Sequence, residues 1–415
     1  MLPLAGIRVI DLSTVVMGPY ASQWLADLGA EVIKVEPPEG DSTRRTGPSA
    51  EAGMAAIFLG VNRSKKSIVL DLKQPGAQAA LDRLLAGADV LMHSMRPQKL
   101  AALGLAPADV MARHPDLVYV SLLGFAEEGP YGGRPAYDDI IQGLSGNAAL
   151  MAAQTGSSRY FPTIAADKTS GLVAALSVCA ALAGRARRTA EGTAANGTGT
   201  MVEVPMFESM VAFNLVEHFY GRHFDPPRGP AGYPRVLAPL RRPYQSADGY
   251  VCMMPYTDAH WRDFFQAAGR PELATDARFT DISARTRHIE TLYEITGDIV
   301  HGHTTAHWLE LCESLQIPVA KINELDELTE DPHLRATGFF EPVEDPAMGT
   351  LCFPGAPVRF DSQRSPIGVP PRLGEHTAGV LAQAGLSAGE IEALRASGAA
   401  FCAPAAPPTT TKETP

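Results

Sequence analysis

The sequence predicts an α/β protein with an open, mostly parallel sheet. Short runs rich in β-branched residues, typical of strands, alternate in the first half of the chain with segments that carry apolar residues at helical spacing. Because parallel strands need a crossover connection, this alternation predicts strand–helix–strand units with helices on both faces of the sheet. The chain has 415 residues, more than one hydrophobic core usually supports, so a second domain is expected.

The first strand–helix–strand unit is visible at the N-terminus. Residues 7–12 are rich in β-branched side chains and predict a strand. Pro19 suits the first turn of the helix that follows, and Gly29 is a typical helix stop. Residues 31–35 then predict the second strand. The same analysis predicts strands at 67–70, 89–92 and 117–122, helices at 75–85 and 168–184, a strand then a helix over 201–220, short strands at 349–353 and a last helix at 388–397.

Composition shifts predict the domain boundaries. Residues 225–239 are dense in Pro and Gly and predict a linker. A Gly-, Thr- and Ala-rich stretch at 189–199 predicts a surface loop. The expected division is a large domain from 1–224, the linker at 225–239, a smaller α+β domain from 240–320, a return to the large domain over 321–402, and a tail at 403–415 too poor in apolar residues to fold.

Charge and cysteine content exclude some classes of protein. The net charge is −11, with 35 Lys and Arg against 46 Asp and Glu, which argues against a nucleic-acid partner. Five cysteines are scattered without paired spacing, which favours a reducing compartment. The N-terminus has no basic region typical of a signal peptide, and the apolar run 171–184 is too short to span a bilayer, so it predicts a buried helix. We therefore expect a cytoplasmic protein without membrane association.

Asp167 is the first candidate for chemistry, because it stands next to a long apolar helix. One interpretation is structural: Asp is a favoured N-cap, which contributes about 1 kcal/mol by accepting a backbone N–H. The other is functional, since a carboxylate kept ionised at a helix start is a competent nucleophile toward a thioester carbonyl. The residues alone leave both interpretations open.

Cations and a tyrosine supply candidate ligand-binding residues. Arg63, Lys65 and Lys66 form a cationic turn, which is either a solvated loop or a clamp for the phosphates of a nucleotide. Arg96 follows a predicted strand, at the sheet edge where open α/β sheets bind ligands. Tyr137 and Asp138 lie in a segment rich in Gly and Pro, which predicts either an open ligand-binding backbone or a turn with one packed tyrosine.

Other motifs are absent or weak. His303 and His307 have helical spacing, but no acidic or Cys partner has zinc-type spacing nearby, so surface histidines and no metal are expected. The first strand–helix turn lacks the glycines that a nicotinamide dehydrogenase needs. The sequence also has neither a P-loop nor the nucleophile elbow of a hydrolase.

Taken together, the motifs resemble those of the family III CoA-transferases, which include formyl-CoA and carnitine CoA-transferases. The resemblance covers nearly the whole chain, and many short blocks occur in the family's order. These blocks are residues 6–12, Gly18-Pro19, 25–38, Gly40-Asp41, Arg96-Pro97, Gly124-Phe125, Gly129-Pro130, Tyr137-Asp138, 166–171, 331–334 and 373–377.

The resemblance implies a function and a fold. Asp167 would be the catalytic aspartate, which forms a mixed anhydride with the donor acyl group and then an aspartyl-CoA thioester. Coenzyme A and its acyl thioester would be substrates together with a carboxylic acid, and no ATP, metal or prosthetic group would be required. The implied fold is a Rossmann-like large domain that binds coenzyme A, with a small domain, in an interlocked ring-like homodimer.

Departures from the family pattern bear on the substrate. The glutamine near Val16 and the glycine-rich loop of the formyl-CoA branch are missing here, which argues against formate and oxalate. The racemase branch of the family has His where Tyr137 stands, and Tyr, with an ordinary pKa of about 10, is a poor base near neutral pH. A 2-methylacyl-CoA racemase and a non-catalytic CoA-binding protein are the alternatives.

Overall fold

The computed structural model describes residues 1–193 and 198–402, and these form two compact units. The predicted tail at 403–415 and residues 194–197 of the predicted loop lie outside the described residues. The first unit contains Met1–Ile141, Ile164–Met210 and the chain from His333 onward, and the second contains Gln142–Thr163 and Val211–Pro332.

Twelve strands occur in the described residues. They are β1 (Arg8–Asp11), β2 (Glu31–Glu36), β3 (Lys66–Leu70), β4 (Val90–His93), β5 (Val118–Leu123), β6 (Thr200–Pro205), β7 (Tyr244–Gln245), β8 (Tyr250–Met253), β9 (Val319–Lys321), β10 (Phe340–Asp345), β11 (Gly349–Pro354) and β12 (Ala400–Phe401).

Seven of these strands form the sheet of the first unit, in the order β12-β3-β2-β1-β4-β5-β6. The six strands from β3 to β6 pair in parallel, and β12 pairs antiparallel with β3 at the edge. The parallel strands thus have the order 3-2-1-4-5-6 of the Rossmann fold. The chain adds strands to one side of β1 up to β3 and then to the other side from β4 onward, so the order of the strands reverses between β1 and β4. The predicted α/β class with a parallel sheet is confirmed.

Seventeen α-helices occur in the same residues. They are α1 (Met17–Asp27), α2 (Ala56–Val61), α3 (Pro75–Leu85), α4 (Pro97–Ala102), α5 (Pro107–Arg113), α6 (Asp138–Leu144), α7 (Asn147–Thr155), α8 (Ala165–Glu191), α9 (Met206–His218), α10 (Pro234–Leu237), α11 (Asp258–Ala267), α12 (Ile282–Arg287), α13 (Ile289–His301), α14 (Thr305–Ser314), α15 (Pro332–Ala336), α16 (Thr377–Gln383) and α17 (Ala388–Ala396).

Helices cover both faces of the sheet, as expected from the alternation of elements. Adjacent residues of β1 point to opposite faces, so Val9 and Ile10 belong to different cores. Val9 packs in the core that includes residues of α1 and α8. Ile10 packs in the core that includes residues of α3, α16 and α17. Both β1 residues are fully buried, which explains the continuous apolar run that predicted this strand.

The helix α8 differs from its prediction. It begins before 168 and continues past 184, and it includes Thr189, so the predicted start of a loop at 189 is wrong. Gly192, with φ at +65°, follows its last residue. By length and composition alone this helix could cross a membrane, a test that core helices of soluble proteins also pass. The predicted burial of this helix applies to part of it only, because 33% of its apolar stretch is buried within the chain.

The second unit contains a three-stranded antiparallel sheet, β7-β8-β9, with helices α10 to α14. Its core is aromatic and includes Phe264 and Trp308, which are fully buried. The predicted linker at 225–239 lies inside this unit, as do residues 142–163, so the predicted boundaries differ from the observed ones. One contact between these two segments is a hydrogen bond at 3.4 Å, in which the side chain of Gln154 donates to the carbonyl of Val236.

Candidate active site

A cavity of about 280 Å³ opens in the first unit at the carboxyl ends of the parallel strands. Thr14 follows β1, Arg96 follows β4 and Phe125 follows β5, and all three line it. The strand order reverses between β1 and β4, which is the place where open α/β sheets form a ligand crevice. Asp167 reaches the same cavity from α8.

Asp167 is the third residue of α8 and not its N-cap. The N-cap position is Ile164, whose side chain makes no capping hydrogen bond. The structural interpretation of Asp167 as a capping residue is therefore wrong. Its carboxylate instead receives a hydrogen bond from the backbone N–H of Met17, the first residue of α1. Two helix starts thus meet at this carboxylate.

The capping role belongs to Asp138, which comes from a distant part of the chain. Its Oδ1 accepts the backbone N–H of Ala166 at 2.8 Å and that of Asp167 at 3.0 Å. Asp138 is buried and does not line the cavity. Asp138 therefore holds the first turn of α8, and its predicted part in ligand binding stays a prediction.

The environment of Asp167 raises the pKa of its carboxyl group to about 6. Burial is the larger cause, and the negative charge of Asp138 adds to it, while the Met17 N–H acts in the opposite direction. The group is therefore mostly ionised at neutral pH, yet it is more basic than an ordinary aspartate. Such a carboxylate is a stronger nucleophile than a solvated one.

Two glycines allow α1 and α8 to approach closely enough for this contact. A Cβ on Gly171 would lie 2.8 Å from the carbonyl oxygen of Met17, so only glycine fits there without displacing α8. A Cβ on Gly18 would overlap Ser13, which lies at 2.2 Å. Both positions are therefore determined by the packing that brings Met17 to Asp167.

The predicted cationic turn has other partners. Arg63 forms an ion pair with Asp27 at 2.6 Å, and Lys66 forms one with Glu31 at 2.5 Å. Lys65 is fully buried and donates to the carbonyl of Pro19 at 2.8 Å. None of the three cations lines this cavity. These contacts fix the turn to the protein, and the predicted phosphate clamp at 63, 65 and 66 stays a prediction.

The cations that do line the cavity are Arg96 and Arg134, both exposed. Arg96 was predicted from its place after β4. Arg134 was not predicted, although it lies in the same Gly- and Pro-rich segment as Tyr137, and its guanidinium stacks over the ring of Tyr131 at 4.7 Å. Tyr137 also lines the cavity, with 70% of its surface exposed.

A second cavity of about 360 Å³ lies beside the first along the same sheet edge. Thr14, Ser94 and Arg96 line both cavities. The second also contains Lys73, which follows β3, and Lys99 of α4. Neither lysine was singled out in the sequence, because isolated surface lysines carry no spacing signal. Together the two cavities form one crevice along the carboxyl ends of the strands. Its lining contains both cations and acidic side chains, the latter being Glu36, Glu39, Asp71, Glu127 and Asp167.

The histidine cluster lies in the second unit. His303 and His307 stack with ring centroids 4.2 Å apart and pack against Trp308. Within residues 1–193 and 198–402, no group of three or more His, Cys, Asp or Glu side chains could hold a metal ion. The cluster is thus explained by ring packing.

Comparison with known sequences identifies similar proteins over almost the whole chain. The profile of the family described as CoA-transferase family III matches residues 4–377. A succinate–glutarate CoA-transferase of Agrobacterium fabrum is 32% identical, over 92% of this chain and 95% of its own length. The human succinyl-CoA:glutarate CoA-transferase is 28% identical, over 91% of this chain and 85% of its own length.

Solved structures agree with this similarity. The crystal structure of Rv3272 from Mycobacterium tuberculosis superposes with a TM-score of 0.77 at 29% identity, covering 91% of this chain and 98% of that one. A CAIB/BAIF family protein from Brucella suis superposes with a TM-score of 0.74 at 28% identity, covering 92% of this chain and 99% of that one. The architecture described above is shared by these proteins.

Proposed function

The chain belongs to CoA-transferase family III, and on that premise we propose that it moves coenzyme A from an acyl-CoA to a free carboxylic acid through covalent intermediates on Asp167. The protein is a CoA-transferase by family. The observation that supports the role of Asp167 is its position on the cavity wall, where its carboxylate meets the N–H of Met17. A nucleophile and an oriented donor therefore lie at the same point.

The first half of the proposed reaction loads coenzyme A onto the enzyme. A carboxylate oxygen of Asp167 attacks the thioester carbonyl of the donor, the C–S bond breaks, and the thiolate of coenzyme A leaves. The product is a mixed anhydride between Asp167 and the donor acyl group. The thiolate then attacks the aspartyl carbonyl carbon, and the donor departs as a free carboxylate, which leaves Asp167 as a thioester of coenzyme A.

The second half is the same chemistry with the acceptor. The acceptor carboxylate attacks the aspartyl thioester and releases the thiolate, which gives a second mixed anhydride. The thiolate then attacks the acceptor carbonyl, so that the new acyl-CoA forms and Asp167 returns as a carboxylate. One thioester is exchanged for another, so the overall step is nearly balanced in free energy and needs no ATP.

The raised pKa of Asp167 suits both halves of the proposed transfer reaction. Above pH 6 the carboxylate is ionised and can attack, and its limited solvation makes it more reactive than an exposed aspartate. When the carboxylate becomes an acyl group, the N–H of Met17 is placed to donate to the negative charge that develops on oxygen. Loss of one such donor typically costs about 10² to 10³ in rate.

We place coenzyme A along the crevice formed by the two cavities. The nucleotide would occupy the second cavity, where Lys73 and Lys99 supply positive charge for phosphates. Arg96 lines both cavities and Arg134 lines the first, so the diphosphate would lie between them. The pantetheine arm would then enter the first cavity and bring the thiol to Asp167.

We propose succinyl-CoA as the donor and dicarboxylic acids as acceptors to be tried first. This proposal is supported by the names of several relatives, in which succinyl-CoA is paired with glutarate, L-malate or mesaconate. Another relative is named a probable fatty acyl-CoA transferase, so long-chain donors are the second class. The structure adds that the cavity beside Asp167 contains two arginines able to attract an anionic acid.

We also infer that the enzyme is a homodimer, as the family resemblance implies. Leu172, Val173 and Leu176 expose 43%, 36% and 70% of their surface on α8, next to residues that are fully buried. A row of exposed apolar side chains on a helix of this length needs a cover, and a second copy of the chain supplies it.

Light scattering after gel filtration tests the dimer. Leu176→Asp is expected to lower the recovery of soluble dimer, and Leu325→Asp, at a leucine 84% exposed elsewhere on the surface, is the control expected to have no effect. A wild-type monomer would contradict this inference, and so would association of the monomer with lipid vesicles.

A transfer assay tests the function directly. Purified enzyme is incubated with succinyl-CoA and a panel of mono- and dicarboxylates, and the acyl-CoA products are identified by mass spectrometry. Asp167→Asn should bind coenzyme A and lose more than about a hundredfold in kcat, because nucleophile removal is among the largest effects known. The matched control is Asp139→Asn, an exposed aspartate of α6.

Other outcomes would point to the alternatives. Binding of coenzyme A without turnover of any donor and acid would favour a binding protein. Incorporation of deuterium at the α-carbon of a 2-methylacyl-CoA, without transfer, would favour the racemase. Either result would overturn the proposed function.

A further inference from the structure

The turn between β1 and α1 is held by side chains from other parts of the first unit. The N–H of each of residues 13–15 and the carbonyl of Ser13 have a side-chain partner, which is the neighbouring Asp11 for the Ser13 N–H and a residue elsewhere in the first unit for the other three. The contacts are Ser13 N–H to Asp11 Oδ1 at 2.8 Å, Lys34 Nζ to the Ser13 carbonyl at 2.9 Å, Thr14 N–H to Ser94 Oγ at 3.2 Å and Val15 N–H to Asp41 Oδ2 at 3.2 Å.

Val15 shows that this turn needs to be held. Its φ is +70°, in the left-handed region that β-branched residues rarely adopt. Strain of this kind persists only where the surrounding structure imposes it, and it occurs often at functional sites. The Val15 N–H is bound by Asp41, so the contact that maintains the strained conformation is identified.

Asp41 and Lys34 form a buried ion pair beneath the turn. Their charged atoms are 2.9 Å apart, and both side chains are completely shielded from solvent. Removing two charges from water costs several kcal/mol per ion, and an apolar pair of similar volume often folds equally well. Fold stability alone therefore does not explain why charges occupy these two positions.

The turn leads directly to the carboxylate of the reaction. Two residues after Val15, the N–H of Met17 donates to Asp167, and Thr14, Val15 and Met17 all line the cavity. Any relaxation at Val15 would move Met17 relative to Asp167. A displacement of about 1 Å at a reacting group can cost on the order of a hundredfold in rate.

We propose that Lys34 and Asp41 are positioning residues for the transfer reaction. They fix the strained turn at residues 13–15 and thereby hold the Met17 N–H against the Asp167 carboxylate. The proposal rests on the proposed function, since it assumes that Asp167 is the nucleophile. Neither residue touches the substrate; both act through the backbone of the turn.

Two double variants separate the backbone contacts from the buried charge. Lys34→Met with Asp41→Leu removes both charges and leaves the Ser13 carbonyl and the Val15 N–H without these partners. We expect kcat to fall at least about a hundredfold, the usual effect of losing an oriented donor, with the Kd for coenzyme A changed less than about threefold. Lys34→Gln with Asp41→Asn keeps neutral groups able to make the same hydrogen bonds, and kcat should stay within about tenfold of wild type.

A buried ion pair at the other end of α1 supplies the control. Asp27 pairs with Arg63 at 2.6 Å and does not contact the turn. Asp27→Asn should lower the melting temperature and leave kcat within about threefold, because loss of stability alone does not misplace Met17. Circular dichroism confirms that each variant is folded at the assay temperature.

A single variant, which changes fewer side chains, covers the case in which the apolar pair does not fold. Lys34→Met alone leaves Asp41 with the N–H and hydroxyl of Thr43 and with the Val15 N–H. We expect kcat to fall on the order of tenfold with Kd for coenzyme A unchanged, because the turn loses its Ser13 contact while Asp41 loses its ion pair with Lys34 but keeps the Val15 N–H.

The outcomes are distinguishable. If a folded apolar-pair variant, or Lys34→Met where that variant does not fold, retains kcat within threefold of wild type while Asp167→Asn is inactive, the positioning role is wrong and the proposed function stands. The same conclusion follows if the amide pair loses as much kcat as the apolar pair. If Asp167→Asn retains transfer, the proposed function and this inference are both wrong.

Discussion

Asp138 and Asp167 are joined at the start of α8, where the Asp138 carboxylate accepts the backbone N–H of Asp167 at 3.0 Å. Asp138 therefore holds the helix turn that carries the proposed nucleophile. The pKa of Asp167 is raised to about 6, mainly by burial and secondly by the negative charge of Asp138. Both the position and the basicity of the Asp167 carboxylate thus depend on Asp138.

The pH dependence of transfer should report Asp167. Below pH 6 the carboxylate gains a proton and cannot attack, so kcat/KM should fall about tenfold for each further pH unit. Asp138→Asn removes a neighbouring negative charge and should move this limb of the profile to lower pH, while its amide oxygen still accepts an N–H of α8. Asp139→Asn is the control, and an acid limb that does not move in Asp138→Asn would contradict the assignment.

The same raised pKa predicts that the nucleophile lowers stability. Because the folded state disfavours the charged carboxylate, the free energy of unfolding of wild type is lowered at pH values above the folded pKa of about 6. This loss of stability disappears as the pH falls toward the ordinary pKa of 3.8. Asp167→Asn should therefore be more stable than wild type at pH 8, by up to about 3 kcal/mol, and by less at pH 5. Chemical denaturation at the two pH values measures this, and an equal or reversed difference would argue against it.

The close approach of α1 and α8 can be tested with a single methyl group. Gly171→Ala places a Cβ 2.8 Å from the Met17 carbonyl and should displace α8, so kcat should fall by at least about tenfold. Gly184→Ala is the matched control on the same helix, where the nearest side-chain neighbour of a Cβ is the flexible end of Arg188 at 3.3 Å. It should raise stability by up to about 1 kcal/mol, the helix propensity of Ala over Gly, with activity retained. Equal kcat in the two variants would show that the contact has no catalytic importance.

The arginines of the crevice should act on binding more than on chemistry. Loss of one charged hydrogen bond typically costs about 1.5 to 3 kcal/mol, so Arg96→Met and Arg134→Met should each weaken coenzyme A binding by at least about tenfold. Arg187→Met is the control, because Arg187 lies on α8 with 76% of its side chain exposed and does not line either cavity. Isothermal titration calorimetry measures the Kd for coenzyme A. Unchanged affinity in both crevice variants would show that the diphosphate does not bind beside these arginines.

Local signals predicted much of the fold. The helix at 75–85 has the predicted bounds, because Pro75 begins it and its apolar face is continuous. The edge strand β12 was not predicted, since its two residues have no pattern and depend on pairing with β3. The end of α8 was misplaced because Ala- and Arg-rich residues continue the helix to Gly192, beyond the apolar run that predicted it.

The site was predicted only where its residues have local signals. Asp167 and Arg96 were found because each lies at the end of a recognisable element. The partners of Arg63 and Lys65 were missed, since Asp27 and Pro19 are far from them in the chain and the ion pairs form only in the folded state. The capping of α8 by Asp138, 29 residues before Asp167, was missed for the same reason.

Covalent trapping on Asp167 tests the central claim most directly. The enzyme is mixed with an acyl-CoA and then treated with hydroxylamine or borohydride, which react with an anhydride or thioester and leave a free carboxylate unchanged. Peptide mass spectrometry should find the modification at Asp167, only with acyl-CoA present, and not in Asp167→Asn. An unmodified Asp167 with another carboxylate labelled instead would contradict the account.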